Sequence, residues 1–353
     1  MTDGPGPQRG TNPVSGCPAR PPIRSSIIVK AMRYELRWIL PWLVFGLGEF
    51  SSAQTKEVVT PDLSPSDSTA TFAASSFGTG LMTTAAARST VNSSAPSDTV
   101  EVNPARLAVV CAGTGGLIVG AHLQNYDSWW KGARGPFHLS VDDAYPLGAD
   151  KCGHFLFSYY AADAVGRSFA WSGVGTERAI IYGGLTAFAF QTYVEIEDGF
   201  HPDIGFSIGD LVADAFGTVL PILQERSPFL NAISPKWSAN PSSRYLRHEY
   251  RTILDDYESQ YYWLSVNLQA LLGESTATFV PTFLNVAIGY GVTNLDLKGG
   301  GDREFYLSLD LDVNRLPGSG GFLSAIKHVL NYIHLPAPAI RLTPSVITYG
   351  LRF

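Results

Sequence analysis

Between Gly148 and Gln224 the chain passes through three apolar segments, each with one short polar set at its start or its end. The first opens on Asp150-Lys151-Cys152-Gly153-His154, and the second closes on Gln191-Thr192-Tyr193-Val194-Glu195-Ile196-Glu197-Asp198. The third opens on Ser207-Ile208-Gly209-Asp210 and runs on to Asp214. Their length and apolarity predict helices over residues 153–171, 177–197 and 207–223. Helices apolar nearly all round are either buried in one bundle or partly in lipid. These lie near the lower limit of the roughly 20 residues that a membrane span needs. Pro202, with Gly199 and Gly205, separates the second from the third, and so short a loop favours an antiparallel pair.

Residues three, four and seven apart share a helix face. Lys151, His154 and Ser158 therefore form one stripe, Gln191, Glu195 and Asp198 a second, and Ser207, Asp210 and Asp214 a third. Buried polar groups must find partners, so the least costly packing turns the stripes toward one another. The candidate site residues are Asp150, Lys151, His154, Glu195, Asp198, Ser207, Asp210 and Asp214. Three readings stay open. In a structural network, Lys151 and His154 neutralise the carboxylates and fix the packing. In a metal centre, with no cofactor established, His154 with Glu195, Asp198, Asp210 or Asp214 suits a divalent cation. In an acid–base site, a carboxylate works beside His154. No nucleophile motif accompanies them, and no catalytic residue is assigned.

Charged residues make up 16% of the 353 residues and hydrophobic ones 45%. An ordinary soluble domain carries about 25% charge, so the deficit favours a membrane-associated or envelope protein. A net charge of -6 gives no reason to expect nucleic acid. Residues 1–31 show no apolar periodicity, whereas Met32 begins the layout of a secretory signal: Arg33 and Arg37, apolar Trp38 to Leu47, then Ser51-Ser52-Ala53. Residues 1–53 are read as leader and signal peptide, and Gln54 leaves no cysteine for lipid attachment. Residues 54–103 are a Ser, Thr and Pro rich linker that cannot bury enough surface to order itself. Cys111 and Cys152 either pair or act as small hydrophobes, and neither has zinc-site spacing.

Residues 104–226 are read as the helical unit, and 227–353 as an irregular segment followed by a β-rich region. Ala105 to Leu123 is apolar but dense in glycine, which suits either a packed helix or a short span. Trp129-Trp130 and Asp142-Asp143-Ala144-Tyr145 suit a boundary between water and an apolar layer, or a cap over the helices. Leu264, Leu268, Leu271 and Leu272 predict a short amphipathic helix. The tyrosines at 257, 261 and 262 with Trp263 offer packing or an aromatic platform, and Asp255-Asp256 reads as a solvated turn or helix start. Period-two alternation in Phe283 to Val292, Phe305 to Val313 and Val346 to Phe353 predicts antiparallel strands. Between the last two, Phe322, Ile326, Val329, Leu330 and Ile333 outline an amphipathic helix.

The motifs Asp150-Lys151-Cys152-Gly153-His154-Phe155, Glu195-Ile196-Glu197-Asp198-Gly199 and Gly205-Phe206-Ser207 through Asp210, Asp214 and Gly217 resemble the uncharacterised YfiM-type bacterial envelope family. They are similar, more distantly, to VanZ-like membrane proteins. Longer members of the YfiM-type family resemble the chain further, through Trp129-Trp130, Tyr261-Tyr262-Trp263-Leu264-Ser265, Asn285 to Gly291 and Tyr306 to Asp312, which extends the resemblance from about residue 105 to the end. It implies an envelope location and a helical core but no activity. Asp214 stands where the family pattern has Asn, which adds a negative charge, and the lipid cysteine of the short members is missing.

The expected fold is mainly α: a compact bundle of four apolar helices, then a small antiparallel sheet of three or more strands with one helix. The alternative is a polytopic inner-membrane protein. The signal and the alternating tail favour the outer membrane, periplasmic side. The leading functional expectation is a scaffold or assembly factor with membrane or outer-membrane protein partners and an unknown ligand. The alternative is a metal- or acid-base-dependent enzyme on lipid or cell-wall substrates.

Overall fold

The computed structural model describes residues 101–352 apart from 133, 141–144, 273–278 and 297. The expected leader and nearly all of the linker lie outside the described residues, as do Asp142, Asp143, Ala144 and Phe353.

Helix α1 spans Pro104–Asn125 and runs on as a π-helical turn, Tyr126–Trp130. Asn103 caps it by accepting from the Arg106 N–H, and Pro104 fills the first turn, where a missing N–H is tolerated. Helices α2 (Ala149–Trp171), α3 (Thr176–Gly199) and α4 (Ile208–Arg226) follow. These three pack on one another, and glycine permits the approach. A methyl at Gly183 would overlap the Ala162 carbonyl and the Gly166 backbone, and one at Gly217 the Phe155 carbonyl oxygen.

A compact bundle of four is not what the chain builds. Helix α1 buries only Val110 and Thr114, and a side chain on Gly115, Gly116 or Gly120 would meet nothing within 4 Å. These three glycines therefore do not serve close packing. By length and composition alone, Pro104–Trp130 could cross a membrane.

The C-terminal part is a six-stranded antiparallel sheet whose strands lie in chain order. They are β1 (Ile233–Ala239), β2 (Gln260–Asn267), β3 (Leu284–Thr293), β4 (Asp302–Leu311), β5 (Ala337–Arg341) and β6 (Ile347–Arg352). Helix α5, Gly321–Leu330, lies between β4 and β5 as the spacing predicts. Of the short amphipathic helix expected from Leu264, Leu268, Leu271 and Leu272, the part Leu268–Leu272 is helical, whereas Leu264 lies in strand β2, paired to β1 and β3. The run Tyr261-Tyr262-Trp263 favours a pleated surface over a helix, and this overrides the leucine spacing.

Those aromatics are enclosed, so they pack rather than present a platform. Tyr262 joins Val292 and Leu156 in the core that fastens one end of the sheet to α2. Asp256 is likewise buried, not solvated, and accepts hydrogen bonds from the Ser242 and Ser259 hydroxyls. Cys111, exposed on α1, and Cys152 on α2 are both free.

The polarity of the sheet is inverted. On β4, Leu307 and Leu309 are each 42% exposed, whereas Tyr306 and Asp310 are 0% exposed. A sheet with one face in water would turn its leucines inward.

Candidate functional site

Helices α2, α3 and α4 each turn their polar stripe inward. Asp214 of α4 is fully buried and gathers the other two helices. Its Oδ1 accepts from the Ser158 hydroxyl at 2.7 Å and from Gln191 Nε2 at 3.0 Å, and His154 Nδ1 lies 3.2 Å away. Glu195 Oε1 is 3.7 Å from the same His154 nitrogen, and Glu195 Oε2 accepts from the Ser207 N–H at 3.0 Å. Ser207 also caps α4, its hydroxyl accepting from the Asp210 N–H.

A second set adjoins the first. Lys151 Nζ lies 3.0 Å from Asp150 Oδ2 and 2.9 Å from Asp210 Oδ1, and it contacts Ser207 Oγ. Asp198 goes elsewhere: its Oδ1 accepts from Trp130 Nε1 at 2.6 Å, which ties the end of α3 to the π turn after α1. Of the five carboxylate and imidazole groups expected around a metal, His154, Glu195 and Asp214 converge, with one ligand atom from each within 4.8 Å of the others. Asp198 and Asp210 are held by Trp130 and Lys151 and fall outside that group.

Electrostatics separate the groups further. Burial raises Glu195 to about 8, although the neighbouring His154 works against the rise. Burial also raises Asp198 to about 6 against its hydrogen bond from Trp130. For His154, burial acts to lower the value, but Asp214 outweighs it and brings the imidazole to about 9. At neutral pH the centre therefore holds protons on both His154 and Glu195. A cation would have to displace both, so metal affinity would rise with pH. The side chains of Lys151 and His154 are 23% and 26% exposed, which leaves a narrow edge of the centre open to solvent.

Two further clusters lie outside the three polar stripes. On α2, Asp163 takes Arg167 Nε at 3.0 Å, His328 Nε2 from α5 at 2.5 Å and, from just past that helix, the Tyr332 hydroxyl at 2.6 Å. Burial would raise that carboxyl, but Arg167 and His328 hold it well below the usual range. The i, i+4 placing of Asp163 and Arg167 is the hint that the sequence offers.

Inside the sheet, Lys236 Nζ meets Asp310 Oδ2 at 2.6 Å, His334 Nδ1 lies 3.1 Å from Asp310 Oδ1, and Ser308 Oγ lies 3.4 Å from His334 Nε2. Serine, histidine and aspartate stand here in the order of a hydrolase relay. The likeness stops there. His334 and Asp310 are wholly buried, Trp263 stacks on the imidazole, and the Ser308 hydroxyl already donates to the Leu309 carbonyl. No substrate carbonyl can reach that oxygen, and the cluster serves packing.

Residues 139–226 match a family model described as a predicted periplasmic lipoprotein, a domain of unknown function, DUF2279. The match supports an exported location in the cell envelope, without resolving inner from outer membrane, and it contains the three polar motifs. No curated protein and no solved structure matches the chain.

Proposed function

We propose that the chain is a non-catalytic scaffold or assembly factor on the periplasmic side of the outer membrane, and that its polar centre sets how α2, α3 and α4 pack. The observation that carries this reading is that the carboxylates of the centre are met from within the chain: Asp214 by Ser158, Gln191 and His154, Glu195 by the Ser207 N–H, Asp210 by Lys151 and Asp198 by Trp130. Asp150 is met by Lys151 on one oxygen while its buried Oδ1 has no hydrogen-bond partner among the described residues, and a network paired to this extent rigidifies a core without needing a ligand. The same motifs carry the likeness to YfiM-type and VanZ-like proteins, and the outer-membrane placement rests on the signal and the alternating strands.

A second reading, a metal- or acid-base-dependent enzyme on lipid or cell-wall substrates, is favoured by the convergence of His154, Glu195 and Asp214. The two readings part on metal. For a scaffold, protein purified without chelator carries less than stoichiometric metal, and its melting temperature is the same with and without EDTA. Stoichiometric zinc or manganese, with a melt that drops in EDTA, would replace the scaffold by the metal reading. Sedimentation of native membranes on a sucrose gradient tests the location, and recovery with inner-membrane markers overturns it.

A further inference from the structure

Helix α4 is built inside out. Ile208, Val212, Phe216, Val219 and Leu223 recur every three or four residues on one face, and all five are exposed, Phe216 at 67%. The opposite face buries Asp210, Asp214, Gly217 and Thr218. In water the large apolar side would turn inward. Helix α3 repeats the inversion: Tyr182 and Leu185 face out, while Ala179, Gly183, Gly184 and Ala187 are enclosed. A shallow apolar trough between α1 and α3, lined by Ile118, Leu185, Ala189 and Phe190, continues that surface.

We infer that the outward stripe of α4, together with the exposed side of α3, lies in the hydrocarbon of a phospholipid bilayer. Small residues at helix contacts and large apolar ones outside are the arrangement used where the surrounding medium is itself apolar. The sheet points the same way on unrelated secondary structure, since Leu264, Ile288 and Leu307 face out from neighbouring strands while Ser265, Ala287 and Ser308 face in. A partner protein would have to coat both a helical and a sheet surface, whereas a solvent coats both at once. The composition of the stripe agrees: protein interfaces concentrate Tyr, Trp and Arg among hydrogen-bonding groups, and this face offers aliphatic side chains and a single Phe.

From Ile208 to Leu223 the stripe rises about 22 Å at 1.5 Å per residue. That is less than the roughly 30 Å of bilayer hydrocarbon. The helix is thus seated in the apolar layer without crossing it.

The test uses the unaltered full chain reconstituted into vesicles of phosphatidylethanolamine and phosphatidylglycerol that contain a phospholipid with a carbene-generating group on its acyl chain. After irradiation and digestion, mass spectrometry locates the lipid adducts. Adducts at Val212, Phe216 or Val219, at least tenfold above those on the inward Asp214 and Gly217, are expected. An α4 peptide free of adducts while peptides elsewhere in the chain carry them overturns the inference. So does loss of α4 adducts whenever a covalent dimer of the chain forms through that face, since a second copy would then be the occupant. Neither outcome depends on whether the chain acts as a scaffold or binds metal.

Discussion

The imidazole of His154 on α2 faces both oxygens of the Asp214 carboxylate on α4, at 3.2 and 3.3 Å. Because Asp214 also takes Ser158 from α2 and Gln191 from α3, one carboxylate joins all three packed helices.

Removing either member of that pair strands the other. Asp214→Ala is expected to cost on the order of 3 to 5 kcal/mol, the usual penalty for an uncompensated buried charge. His154→Ala combined with Asp214→Ala should cost clearly less than the sum of the two single changes, because members of one network are not additive. Asp214→Asn, which keeps acceptors for Ser158 and Gln191, should lie between wild type and the alanine variant. Denaturant titrations of wild type and the four variants decide it, and additive single losses would sink the network.

Alkali should loosen the centre. His154 is raised from 6.5 to about 9 and Glu195 from 4.5 to about 8, so the folded state holds each proton more tightly than the unfolded chain. For raised groups the contribution is complete below the unfolded value and is lost as pH climbs through the folded one. The melting temperature should therefore fall between about pH 4.5 and pH 9. Glu195→Gln mimics the protonated acid and should flatten the part of that slope below pH 8. A slope unchanged by this substitution would show that Glu195 does not carry it. Asp163, held low, acts with the opposite sign and is lost only as pH falls below its ordinary 3.8.

The helix contacts predict an asymmetry among glycines. Gly217→Ala must push against the Phe155 backbone, whereas Gly116→Ala on α1 meets nothing within 4 Å. Overpacking of this kind costs about 1 to 3 kcal/mol. The α1 change should be neutral or gain up to about 1 kcal/mol from helix propensity. Equal melting temperatures for the two variants would contradict the close packing of α2 on α4.

In the sheet, Lys236→Met should be severely destabilising because Asp310 keeps its charge with less support. Lys236→Met with Asp310→Leu should recover much of the loss, as apolar replacements of buried pairs often do. Chemical denaturation of the single and the double variant gives the comparison. A double variant as unstable as the single one would show that the pair does more than neutralise itself.

The three helices and their inward stripes are legible in the sequence because the polar residues recur at helical spacing in otherwise apolar runs. Which carboxylate takes which partner is not. Nothing in the pattern places Trp130, outside those helices, against Asp198. Strand β2 is hidden because its Leu264 also fits a helical period with Leu268, Leu271 and Leu272, and its partner β1 contains Pro235, which argues against a strand by itself. The alternation of β4 is plain, but alternation does not say which face turns inward. Only contacts among distant residues, such as Lys236 with Asp310, settle that.

The bond from His328 and Tyr332 to Asp163 has a consequence for the order in which the molecule is made. Asp163 emerges early, on the second helix, while both of its distant partners lie near the end of the chain. The Tyr160 hydroxyl similarly waits for the Tyr332 carbonyl. A polypeptide released after β4 could form every helix from α1 to α4 and strands β1 to β4, yet it would hold a buried acid paired only with Arg167. Besides the core of Tyr262, Val292 and Leu156, this second fastening of the helices to the C-terminal part forms only when the last tenth or so of the sequence has arrived, so a truncated copy is marked as incomplete by its own underpaired interior.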